Sequence, residues 1–143
     1  MPKKIEGLSK IVRIDCGSDY TMVLDNEGKI HAFGNNGYGQ LGISGHGTKV
    51  MEPKMLFVSA SQGKVIDIAC GEEHSAYLDE RGVVHTWGYG IDGQLGQGNT
   101  NSLNKPKKVN IDAKITKVGC GGGHTGLLTE EGDLYLMGRG RDG

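Results

Sequence analysis

The sequence predicts an all-β protein: β-propeller blades of four antiparallel strands, set in a partial arc of about three blades. Three observations carry this expectation. The first is an internal repeat. A shift of 54 lays residues 10–42 on 64–96 with 13 identities in 33 positions, and a shift of 50 lays 64–93 on 114–143 with 11 in 30. The second is pattern. Apolar runs of four to seven residues end at Gly, Asn or acidic residues, and no window holds an unbroken 3.6-residue period. The third is glycine, 26 of 143 residues with only 3 Pro. That is about 18% Gly where about 7% is usual, with no every-third-residue period.

The copies span approximately 10–63, 64–113 and 114–143, the third incomplete, within one partial propeller domain over 1–143. Each opens with an apolar alternation into Cys-Gly, at Ile11 to Cys16, Val65 to Cys70 and Ile115 to Cys120. This is strand A. Strand B starts at Tyr20, His74 or His124 and ends at Leu24, Leu78 or Leu128. An acidic turn then closes on Gly28, Gly82 or Gly132. Strand C holds His31-Ala32-Phe33-Gly34, His85-Thr86-Trp87-Gly88 or Tyr135-Leu136-Met137-Gly138. A loop with Gly39-Gln40-Leu41-Gly42 or Gly93-Gln94-Leu95-Gly96 leads to strand D, near Pro53 to Val58 or Pro106 to Val109. Gly17, Gly71, Gly121, Gly28, Gly82, Gly132, Gly34, Gly88, Gly138 and Gly93 are the expected turn glycines. A tight strand-to-strand turn needs φ > 0 somewhere, which Gly reaches at no steric cost.

Composition narrows the function. A net charge of −1 excludes a chain built to coat nucleic acid or an acidic membrane. No apolar run approaches the length of a membrane helix, and the first 30 residues lack a signal-peptide core, so an intracellular place, nucleus or cytoplasm, is expected. Cys16, Cys70 and Cys120 form an odd set, which argues against a disulfide framework; they read as small core residues of strand A. Cys70 and His74 have no second pair nearby, so neither a metal nor a cofactor is expected. Gly37, Gly39, Gly42, then Gly88, Gly90, Gly93, then Gly138, Gly140, Gly143 match a dinucleotide fingerprint. The match recurs once per repeat, and after the first two copies the chain reads as loop and strand, so these are turn glycines. Ser75 and Thr125 follow histidines directly, and neighbours on a strand point to opposite faces, which disfavours a Ser–His pair.

The Cys-Gly-x-x-His steps (Cys70 to His74, Cys120 to His124), the Leu78-to-Gly82 turn, Trp87-Gly88 and Gly93-Gln94-Leu95-Gly96 resemble the repeats of the regulator of chromosome condensation family. The resemblance covers 10–143, departing at Tyr20 and Met137. It implies blades of a seven-bladed propeller, of which this chain supplies just under three. The expectation is a fragment, or a chain that associates with other copies through open blade edges.

The resemblance also implies a working face. The family member that exchanges nucleotide on a Ran-type small GTPase uses the face with the Gly-x-x-His steps. Candidate partner contacts here are Asp19, Tyr20, Glu72, Glu73, His74 and His124, joined by Tyr89, Asp92, Arg139 and Arg141 of the C–D loops. Tyr20, His74 and His124 recur beside a Gly turn, where a polar side chain often bonds the turn's own backbone. Asp19, Glu72 and Glu73 change type between copies, which suits contact with a partner. The expected function is a non-catalytic interaction propeller, with guanine-nucleotide exchange as its leading specific role. A ubiquitin-ligase or scaffold propeller and a chromatin-binding module are the alternatives. The near-neutral net charge disfavours the chromatin module, and Lys105, Lys107 and Lys108 read as a solvated patch.

Overall fold

The computed structural model describes residues 1–45, 47–59 and 62–139. Three antiparallel sheets form, one after another along the chain. The first holds β1 (Ile11–Cys16), β2 (Tyr20–Asp25), β3 (Ile30–Asn35) and β4 (Lys49–Leu56). The second holds β5 (Val65–Cys70), β6 (His74–Asp79), β7 (Val84–Gly88) and β8 (Leu103–Lys108). The third holds β9 (Ile115–Cys120), β10 (His124–Thr129) and β11 (Leu134–Gly138). Among the described residues there is no helix, so none of the fingerprint glycines up to Gly138 opens one; Gly140 and Gly143 lie outside the described residues.

Strands pair in sequence order, so each sheet is a meander. The register repeats as well. Cys16 faces Thr21, Cys70 faces Ser75 and Cys120 faces Thr125. Each A–B pair also slips by one residue near its start, at Val12, Ile66 or Thr116. Such a bulge raises the local twist that rotates one blade against the next. β1, β5 and β9 lie against one another across the blades and form the inner side of the arc. β4 and β8 are outer edge strands. They carry Pro53 and Pro106, whose missing N–H costs an edge strand nothing.

The core sits in the seams. One cluster fills the first seam with Tyr20, Leu24, Leu41, Leu56, Ile68, Tyr77 and Trp87; another fills the second with Ala76, Leu78, Val84, Val109, Ile115 and Leu127. The middle blade is therefore covered on both sides, and every residue of β6 and β7 is buried. The cysteine expectation needs a correction. Cys70 is buried and Cys120 half-buried, but Cys16 is exposed, because no blade covers that side of β1. Burial pushes the Cys120 thiol up to about 12 and the Cys70 thiol higher still, so neither is a reactive thiolate.

Seven expected turn glycines, Gly28, Gly34, Gly82, Gly88, Gly93, Gly132 and Gly138, hold φ from 78° to 118°. Gly17, Gly71 and Gly121 do not, which corrects the reading that their turns need left-handed backbone. Their constraint is space. A Cβ would lie 2.0 Å from the Tyr20 ring, 2.1 Å from the His74 ring and 2.1 Å from the His124 ring respectively.

Candidate interaction face

The A–B turns share one geometry. Gly17, Gly71 and Gly121 donate their N–H to the carbonyls of Tyr20, His74 and His124 at 2.8–2.9 Å. The turns are then joined across the seams by backbone alone. Ser18 N–H donates to Glu72 O (3.1 Å), and Glu72 N–H donates to Gly122 O (3.2 Å). Each turn also receives the first C–D loop amide of its own blade: Asn35 to Asp19 O, Tyr89 to Glu73 O, Arg139 to Gly123 O, all at 2.8–2.9 Å. A–B turns and C–D loops thus form one tied face. Asp19 and Glu72 stand exposed on it and Glu73 half-exposed, none in an ion pair among the described residues.

Tyr20 and His74 do not belong to that surface. Tyr20 is 3% exposed and His74 fully buried, because each ring turns into the seam ahead of it. The Tyr20 hydroxyl donates to His74 O and lies 2.8 Å from Ser75 Oγ. His74 Nε2 meets Thr125 Oγ1 at 2.9 Å. Thr125 gives its single proton to Gln94 O (2.7 Å), so His74 Nε2 carries the hydrogen and donates. Burial holds the His74 imidazole down at about 4, and it is neutral at pH 7. This His–Thr pair crosses a blade boundary, beyond reach of a strand-alternation argument within one blade. With its proton given to a carbonyl, Thr125 is no nucleophile. His124, at the same repeat position, is exposed.

The C–D residues are latches between neighbouring blades. Tyr38 and Tyr89 meet edge to face at 4.8 Å across the first seam. At matching repeat positions in the second seam, Arg139 donates to Asp92 Oδ2 at 2.9 Å. Arg141 lies outside the described residues. Missed from sequence were Gln40 and Gln94. Both are buried, each takes an amide hydrogen on its side-chain oxygen (Tyr38, Asp92), and each offers its backbone carbonyl to Ser75 or Thr125 of the next blade. Their signal was present in the recurring Gly-Gln-Leu-Gly. Among the described residues no group of His, Cys, Asp and Glu is placed to hold a metal.

Family models for the regulator of chromosome condensation repeat match residues 27–78 and 81–128, and a second such model matches 11–40 and 65–94. The chain belongs to this repeat family. Among its relatives, the human "RCC1-like G exchanging factor-like protein" is 32% identical over 111 residues, which is 73% of this chain and 23% of that protein. Human "E3 ubiquitin-protein ligase HERC2" is 38% identical over 112 residues, 76% of this chain and 2% of that one. Prp20p of Saccharomyces cerevisiae superposes with a TM-score of 0.82 at 26% identity, over 92% of this chain and 34% of Prp20p. The chain thus spans a quarter or less of these relatives' sequences and about a third of that propeller.

Proposed function

We propose that this arc is part of a protein-interaction propeller whose A–B face engages a small GTPase and promotes nucleotide release. The observation that carries this reading is the set of carboxylates Asp19, Glu72 and Glu73 on backbone-tied turns, none in an ion pair among the described residues. Rigid anionic groups compete for the basic groups that hold a GTPase's phosphates, and they repel the phosphates themselves. Exchange by displacement needs no covalent step. Support comes from a relative named as a G exchanging factor-like protein, and from Prp20p, whose structure is reported with its binding properties to Gsp1p and histones. The likeness to a ubiquitin ligase favours a second reading, binding without exchange.

Mixing the chain with a Ran-type GTPase loaded with fluorescent GDP separates the two. Accelerated release that disappears in Glu72→Lys/Glu73→Lys is the expected result. Charge-sensitive binding without release supports the second reading. Absence of both, or release untouched by the reversal, ends the proposal for this face.

A further inference from the structure

The outer seam between the first two blades opens into a groove, away from the A–B turns. Two cavities of about 470 and 590 Å³ adjoin there and share Met55, Phe57, Ser59 and Gln62. Phe57 is 82% exposed and Met55 55% exposed, so a ring and a thioether project into water side by side. A contiguous apolar patch of this kind marks an interaction surface more often than a lone exposed side chain does. One end of the groove reaches Pro106 and Lys105; the other reaches Gly28 of the B–C turn and Lys64, the residue before β5.

The repeat supplies its own comparison. In the first blade, His31 Nε2 pairs with Asp25 Oδ2 at 3.0 Å. In the second, the matching Asp79 is taken by Arg81 at 2.9 Å. His85 is released and stacks on Tyr77, centroids 4.6 Å apart and planes 15° from parallel, and this ring pair lines the groove. Its buried Nδ1 has no partner among the described residues. The lining is also basic. Lys29, Lys64 and Lys105 line the groove with one carboxylate, Glu27, which sits 3.9 Å from Lys29; Glu80 beside the groove accepts the Lys64 amide hydrogen at 3.2 Å, and Lys64 and Lys105 form no ion pair among the described residues.

We propose that this groove docks an acidic peptide segment of a partner protein. A bulky apolar side chain packs beside Phe57 and the Tyr77–His85 pair, and flanking carboxylates meet Lys64 and Lys105. Charge complementarity selects this occupant over a basic or neutral one.

The test uses labelled short peptides: an acidic one with a central Leu, the same peptide with Ser for Leu, and a basic counterpart. Fluorescence anisotropy on the chain should show the acidic Leu peptide binding about tenfold tighter than either control. Phe57→Ser and Lys105→Glu should each weaken it by a similar factor, with unchanged circular dichroism since both side chains face water. Glu72→Lys, on the A–B face, should leave it unchanged. Three results overturn the proposal: equal binding by Phe57→Ser, no binding of the Leu peptide, or a Phe57-dependent self-association in place of peptide binding. None of them bears on GTPase engagement, which Glu72 and Glu73 report.

Discussion

Gly71 and Gly88 lie at the same end of one blade and are glycine for different reasons. Gly88 has φ +101°, and its absent Cβ would lie 2.6 Å from Glu73 O, so both backbone and space forbid a side chain. Gly71 has ordinary backbone and is limited by space alone, first by the His74 ring at 2.1 Å and then by Gly121 O at 2.7 Å. Alanine at either should cost about 1–3 kcal/mol in urea unfolding. The two differ in rescue. In a His74→Ala background the Gly71→Ala cost should shrink, while the Gly88→Ala cost should persist; equal costs in both backgrounds would refute the ring as the cause. His74 also predicts a pH dependence. Its folded value, about 4, lies below the unfolded 6.5, so the unfolded chain binds more protons between the two. Stability should therefore fall as pH drops from 6.5 to 4, by about 3 kcal/mol at most. His85 is lowered too, chiefly by burial, and adds the same sign. Asp25 acts in a lower window: burial raises its carboxyl, but His31 and the Lys29 and Glu27 amides outweigh it, and that contribution is lost below 3.8. His74→Gln should flatten the slope between pH 6.5 and 4; an unchanged slope would remove His74 as its source.

Between elements, one latch is built twice with different chemistry. Tyr38–Tyr89 closes the first seam and Asp92–Arg139 the second, at equivalent repeat positions. Tyr38→Ala should lower stability by about 0.5–1.5 kcal/mol with little effect of salt. Asp92→Asn should act weakly at low salt and vanish at high salt, since Arg139 is largely in water. Thermal melts at two salt concentrations distinguish them, and the same salt response in both would undo the distinction. These latches show what the sequence made legible. Repeat length, strand runs and turn glycines lead to the sheets and to the face that bears Asp19, Glu72 and Glu73, because each depends on neighbours in the chain. Contacts across a seam join residues about 50 apart, as in Tyr20 to His74 and His74 to Thr125. A recurring aromatic beside glycine reads equally well as a turn bond, a surface contact or a seam bond. Only the rotation of one blade against the next selects the seam.

At the scale of the whole molecule, three stacked sheets make stability a sum of blade and seam contributions. The middle blade belongs to both seams; the outer two belong to one each. Matching positions show the difference: Val84 is fully buried where Leu134 is 65% exposed, and Ile68 is 6% exposed where Ile14 is 67%. Opening an outer blade breaks one seam, whereas opening the middle blade breaks two. Local opening should therefore be graded along the arc. Native-state hydrogen exchange should find the slowest amides in β6 and β7, and faster exchange in β1 and β11 at equal hydrogen bonding. Adding denaturant below the unfolding midpoint should merge the outer strands first. Uniform protection across all three sheets would mean that the seams couple the blades into one cooperative unit. A middle blade that exchanges faster than the outer two would mean that stability resides within blades. Tyr20, His74, Gln40 and Gln94 would then only position the blades, and the two buried clusters would add little to holding the arc together.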